Sequence, residues 1–188
     1  MARIVEIPIE PLTAENFAPF GQLLGERSDP PHYVGATVKT WDVKFEIEGK
    51  VELEYAAFAF KPVLEFTRIE RHYNVTQSFF PLGNDASVTV FGMPTDPDDL
   101  QAIPKPEQLK ALFMTGAQGI MMWKGTWHTG RFPAQRSGAR FTFLTEAATT
   151  ADLPAVKEGK GSLSQIFDWQ KTQGLTFRLT DPLGLMPK

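Results

Sequence analysis

Glu70 and His72 stand two residues apart in the segment Glu70-Arg71-His72-Tyr73-Asn74-Val75-Thr76-Gln77, and His128 closes a second segment, Trp123-Lys124-Gly125-Thr126-Trp127-His128. On a strand, residues two apart share a face, so Glu70 and His72 project together while Arg71 projects away, toward a structural salt bridge or an interface. Gln77 follows after a turn-length gap and can reach back from the next strand, and His128 arrives from a distant one. Two imidazoles and two oxygen donors (Glu70, His72, Gln77, His128) on one inner face make a divalent-metal site. A Glu-x-His pair flanked by apolar Ile69 and Val75 is awkward to bury for structure alone, which favours a functional role over a strand-edge ion pair. His32, in a Pro-Pro-His-Tyr loop, reads as a surface residue.

Positioning such a set takes many short strands, and the composition supplies them. The chain has 188 residues with 15 Gly, 15 Pro and 15 Phe, and frequent breakers between short aromatic and β-branched runs point to a sandwich or barrel. Strands are predicted at 4–8, 37–45, 51–60, 66–73, 77–82, 87–92, 111–115, 119–123, 126–132 and 139–146. A short helix capped by Thr13 and stopped at Gly21 is expected near the start. Gly83-Asn84-Asp85 reads as a hairpin turn, and residues 104–110 as one or two helical turns. Residues 1–147 form the expected barrel domain. Residues 148–188 read either as an arm that packs on the barrel or on a partner subunit, or as a partly disordered tail; Ile166, Phe167 and Trp169 are its apolar anchors.

The length suits one domain. Hydrophobic content of 42% and charged content of 22% are ordinary for a globular protein, and a net charge of -3 with scattered Lys and Arg gives no footprint for nucleic acid. No cysteine is present, so disulfides and thiolate ligands are excluded. No apolar run is long enough to span a bilayer and no signal-peptide pattern opens the chain. A cytoplasmic location is the default expectation.

The two segments resemble the paired motifs of the cupin superfamily, H-x-H followed by a carboxylate and P-x-G-x-x-H. Glu70 stands for the first histidine, His72 is the second, Gln77 takes the carboxylate position, and Gly125 and His128 match the second motif, with Trp123 at the proline. More specific is a longer pattern: Pro11 to Gly21, Ile69-Glu70-Arg71-His72 with Gln77, Phe80 and Pro81, then Gly119, Lys124-Gly-Thr-Trp-His128 and Phe141-Thr-Phe-Leu-Thr145. In this order and spacing it resembles the ureidoglycolate lyase family over roughly residues 5–147. The resemblance implies a mainly β, cupin-like barrel of jelly-roll type with a few short helices, commonly a homodimer, that splits ureidoglycolate into glyoxylate and urea in allantoin and purine breakdown. Two further readings are open: a diverged member acting on another small 2-hydroxy or 2-oxo acid, and a non-catalytic cupin that binds an organic acid.

Departures from the family pattern are concentrated in two places. A typical Tyr-His-Arg-Gly-Val-Trp-His-His-Pro run is here Met122-Trp123-Lys124-Gly125-Thr126-Trp127-His128-Thr129-Gly130, and a typical Asn and His near the barrel's start are absent around Val34 to Asp42. Trp41 and Trp123 would then make a more apolar pocket, with Trp123 as its wall.

Cleaving a carbinolamide such as ureidoglycolate needs a base for the hydroxyl proton and an acid for the departing nitrogen. Glu70, His72 and His128 are the candidate catalytic groups, either on a metal or acting directly as base and polarising group. The donor set suits Ni, Mn, Fe or Zn rather than Ca. A small carboxylate substrate also needs a cation, for which Lys61, Lys124, Arg131, Arg136 and Arg140 are candidates, with Arg preferred for its bidentate geometry. Substrate contacts are expected at Lys61, Gln77, Trp123 and Lys124.

Overall fold

The computed structural model describes residues 3–187. In chain order its strands are β1 (Arg3–Pro11), β2 (Gly21–Leu24), β3 (Tyr33–Val34), β4 (Lys39–Thr40), β5 (Val51–Phe58), β6 (Glu65–Phe66), β7 (Arg68–His72), β8 (Ser78–Leu82), β9 (Ser87–Gly92), β10 (Lys110–Met114), β11 (Gly119–Met122), β12 (Trp127–His128), β13 (Phe132–Pro133), β14 (Ala139–Glu146), β15 (Ser164–Asp168) and β16 (Leu175–Thr180). Helices α1 (Ala14–Phe17), α2 (Ala147–Lys157) and α3 (Trp169–Gln173) and a 3-10 turn at Pro106–Gln108 complete it. No helix of the described residues is long and apolar enough to cross a membrane.

A nine-stranded sheet runs β15-β7-β12-β9-β10-β1-β16-β6, with β13 also pairing β9, and a five-stranded sheet runs β2-β11-β8-β14-β5. Together they make the mainly β, cupin-like fold. Two buried clusters hold it. One packs Trp127, Trp169, Phe177, Ile9 and Val90 on the larger sheet. The other joins Phe17, Phe20, Phe91, Phe79, Phe141 and Met122, from both sheets. Alternation explains why one strand serves both core and solvent: on β5 Val51, Leu53 and Tyr55 are exposed while Glu52, Glu54 and Ala56 are half-buried.

Several sequence expectations are met within a residue or two, including β9 and β14 at their predicted ends and the single helical turn after Pro104. Others need correction. The first helix ends at Phe17, with Ala18 as its C-cap, rather than at Gly21. Gly21 instead opens β2 beside β11, where a Cβ would collide with the Met121 carbonyl, so this glycine serves close strand approach. Gly83-Asn84 does turn with positive φ at both residues, but β8 and β9 lie in different sheets, making the segment a corner and no hairpin. The strand predicted at 37–45 shrinks to Lys39–Thr40, because nearby amides bond elsewhere: the Lys44 N–H donates to Gln22 Oε1 and the Glu46 N–H to Thr76 Oγ1. The strand predicted at 126–132 divides into β12 and β13, since Thr129 exchanges bonds with Val90 through both its N–H and its hydroxyl.

The last forty residues extend the larger sheet. Strand β15 pairs antiparallel with β7, in the register Ser164↔His72 and Ile166↔Glu70. Strand β16 runs parallel to β1 and antiparallel to β6. Helix α2 starts where the Glu146 carboxylate accepts the Ala148 and Thr149 N–H groups. Burial alone would raise that carboxyl's pKa, but these N–H groups, Asn74 Nδ2 at 2.9 Å and the Thr149 hydroxyl hold it below the usual range. Asn74 also accepts from Thr149 Oγ1 at 2.6 Å, tying the turn after β7 to α2. Replacing Asn74 with Ala leaves buried partners unpaired and is expected to cost about 1–3 kcal/mol, read as a lower urea midpoint at unchanged m-value.

Candidate metal centre

Strand β7 carries Glu70 and His72 on one face, and β12 sets His128 directly opposite Glu70. One donor atom from each of the three lies within 4.8 Å of the others. His128 Nε2 is 3.7 Å from Glu70 Oε1, and the two imidazole centroids are 5.2 Å apart. The strand alternation therefore acts as expected, and β7 is an interior strand, so Glu70 is no edge carboxylate.

Each ring is oriented from behind. His128 Nδ1 lies 3.1 Å from the Thr126 carbonyl, to which only an N–H can donate, so Nε2 carries the free lone pair. His72 Nδ1 lies 2.6 Å from Ser164 Oγ on β15. Both histidines are buried, and burial lowers both pKa values. His72 falls to about 3, helped by His128. For His128 the Glu70 carboxylate and the Thr126 carbonyl pull back upward without cancelling the burial, while Arg131 adds to the lowering. Neutral imidazoles beside a carboxylate are the protonation states a metal ligand needs. Two histidines and one carboxylate with open positions form a donor set suited to a divalent transition metal, so these three residues could hold a metal ion.

The cluster borders a cavity of about 210 Å³, whose walls include Phe58, Phe79, Met122 and Phe143. Gln77 lines the same space; its Nε2 is 3.4 Å from Thr145 Oγ1 and its Oε1 is buried with no partner among the described residues. Arg131 lines it too. Thr149, Thr150 and Leu153 of α2 close one side, and Glu54, bonded at 2.6 Å to Thr150 Oγ1, stands with them.

The other expected site residues lie elsewhere. Trp123 borders a separate groove with Ala18 and Arg27, and its indole N–H donates to the Ala18 carbonyl at 3.2 Å. Trp41 donates to the Asp29 carbonyl on the surface. Neither indole lines the cavity, which corrects the reading of Trp123 as its wall: β11 ends at Met122, the residue that does line it. Lys124 pairs with Glu48 at 2.7 Å, Arg140 with Asp85 at 2.8 Å, and Lys61 sits over the Phe132 ring; none of them lines the cavity. Arg71 does point away from the centre, but toward carbonyls. It is fully buried, donates to Thr95, Asp96 and Asp99 carbonyls and Gln165 Oε1, and packs on Tyr73 and Trp127. His32 is surface-exposed and lies 3.3 Å from Asp42. Ser164 and the α2 residues went unseen in the sequence because nothing local marks a tail residue as the neighbour of a strand far upstream.

A cupin-like fold with a two-histidine, one-carboxylate cluster at the wall of a small cavity defines the class. The family model described as ureidoglycolate lyase matches residues 4–161, and the chain belongs to that family. Among similar proteins, the ureidoglycolate lyase of Azotobacter vinelandii is 29% identical over 129 residues, 65% of this chain and 74% of the relative. That of Pseudomonas paraeruginosa is 29% identical over 133 residues, covering 65% and 73%. That of Pseudomonas syringae is 31% identical over 128 residues, covering 64% and 71%.

Two outcomes follow from this geometry. Unfolded imidazoles titrate near 6.5, whereas His72 stays neutral down to about 3, so below pH 6.5 the unfolded chain binds protons that the native chain refuses. The chelated protein should lose stability as pH falls from 6.5 toward 3, seen in urea midpoints at pH 7 and pH 5, and His72→Gln should flatten that dependence. Ser164→Ala, which removes the group behind His72, should weaken metal affinity by about 10–100-fold, measured by competition with a chromogenic chelator.

Proposed function

We propose that this protein is a lyase that cleaves ureidoglycolate to glyoxylate and urea at the Glu70–His72–His128 cluster. The observation that carries this reading is the convergence of those three side chains, two of them neutral and buried, on a cavity of small-molecule size. Membership in the ureidoglycolate lyase family supports it.

Glu70, His72 and His128 would hold the metal, drawn from Ni, Mn, Fe or Zn. Bound there, a divalent ion would lower the pKa of the substrate hydroxyl and stabilise the charge that develops on its oxygen. Glu70 is the least buried of the three, with a side chain 34% exposed, and has a second carboxylate oxygen for proton work. It takes the hydroxyl proton as the carbinol C–O becomes a carbonyl and the C–N bond breaks. The same proton then passes from Glu70 to the departing urea nitrogen, so the reaction consumes no water and returns Glu70 to its starting state. His72 and His128 stay neutral throughout, held by Ser164 and the Thr126 carbonyl. Gln77, whose Oε1 has no partner among the described residues, accepts from a ureido N–H. The apolar walls keep bulk water from the reacting carbon.

The test is glyoxylate release from ureidoglycolate by the purified protein, before and after chelation and after adding back each metal. Metal-dependent release is expected, with Glu70→Gln slower by about 10²–10⁴-fold. Absence of release under every metal would sink the lyase and leave an acid-binding cupin.

A further inference from the structure

Arg131 lines the cavity, and among the described residues no carboxylate pairs with it. Arg131, just before β13, is 3% exposed, and its guanidinium carbon lies 4.3 Å from the ring centroids of both Phe79 and Phe141. Nη1 donates to Thr89 Oγ1 at 3.2 Å and Ser87 Oγ at 3.4 Å. Among the described residues nothing accepts from Nε, which is buried, and no carboxylate forms an ion pair with this arginine. Burial without a counter-charge pulls its pKa down to about 9. Two hydroxyls are poor compensation for a guanidinium taken out of water, and a charge left so is strongly destabilising unless an anion joins it.

A second unsatisfied group shares the space. Three buried side-chain atoms lack a partner among the described residues: Arg131 Nε, Gln77 Oε1 and Trp169 Nε1. Trp169 belongs to the core of the larger sheet, whereas Arg131 and Gln77 both line the cavity. A charged donor edge and a neutral amide acceptor on the walls of one small space are complementary to a ligand with an anionic oxygen pair and an N–H or O–H. The planar fork of a guanidinium fits a carboxylate edge-on through two parallel bonds. The other candidate cations have other company, Lys124 with Glu48, Arg140 with Asp85, Lys61 on Phe132 and Arg136 over Phe60.

We infer, building on the reading of this centre as one that acts on a small 2-hydroxy acid, that Arg131 is the substrate-binding residue that captures the carboxylate, through Nε and its neighbouring Nη2. Glu70, His72 and His128 border the same cavity, so a carboxylate held at Arg131 keeps the adjoining carbinol carbon within the volume they enclose. The site thereby selects short acids over their neutral amides, and the aromatic faces of Phe79 and Phe141 fix the plane in which the acid docks.

The experiment pairs calorimetric binding of glycolate and of glycolamide, its neutral analogue, with steady-state kinetics on ureidoglycolate, using the metal-loaded protein, Arg131→Lys and Arg131→Gln. Wild type should prefer glycolate. Arg131→Gln should lose that preference and raise KM roughly a hundredfold, with kcat changed far less, and Arg131→Lys should restore part of it. An unchanged glycolate preference and KM in both variants would overturn the assignment. If the variants fail to fold, a crystal structure of wild type with glycolate decides: the carboxylate on Arg131 supports the assignment, and a carboxylate bound elsewhere overturns it. The two readings fail separately. Arg131-dependent glycolate binding without glyoxylate release removes the lyase and keeps the anchor, whereas turnover with KM indifferent to Arg131 removes the anchor and keeps the lyase.

Discussion

Because His128 lies opposite Glu70 across the β12–β7 pair, side chains remote in sequence become neighbours on one sheet face. Backbone pairing sets their separation, and the other edge of β7 is held just as firmly by β15, which brings Ser164 level with His72. A strand pinned on both edges cannot slide, and a slip of one residue would turn Glu70 and His72 to the opposite face. The cluster is thus a consequence of register, and the burial of two neutral imidazoles depends on it.

Burial has opposite consequences for the site's bases and for its cation. For His72 and His128 it removes the proton and exposes a lone pair, which a metal can use. For Arg131 it leaves a charge with too few partners. The same apolar residues cause both effects: Phe79 packs in the cluster that joins the two sheets, lines the cavity and stacks on the guanidinium. The hydrophobic core and the reactive cavity therefore share walls, and a change in one is felt in the other. Glu146 shows how a buried charge is otherwise satisfied, since backbone and side-chain donors surround it. Among the described residues Arg131 has only the Ser87 and Thr89 hydroxyls and two aromatic faces, and its assignment as the carboxylate anchor rests on that contrast.

The family departures at Trp41 and Trp123 bear less on the cavity than their positions in the motifs suggest. Both indoles make surface contacts to carbonyls, and within the run Met122 to Gly130 the residues that line the cavity are Met122, His128, Thr129 and Gly130. Thr129, at a position where the family pattern has histidine, is buried and spends its hydroxyl on the Val90 N–H, so it shapes the break between β12 and β13. The side of the cavity closed by Thr149, Thr150 and Leu153 of α2 lies outside the motifs altogether.

Local pattern was enough to read β9, which follows Gly83-Asn84-Asp85 and ends at Gly92, and β14, which follows Gly138, and enough to place Glu70 and His72 on one face, because a two-residue period is a property of the backbone alone. It also named His128 and Gln77, through the resemblance of their segments to the paired cupin motifs. It could not tell a hairpin from a corner at Gly83-Asn84, because both use the same positive-φ residues and differ only in which sheet receives the next strand. Nor could it choose Arg131 from five cations, place Ser164 behind His72, or move Trp123 out of the cavity. Those assignments rest on long-range pairing, β15 on β7 and β12 on β9, and on which charges are left without partners once the chain has packed.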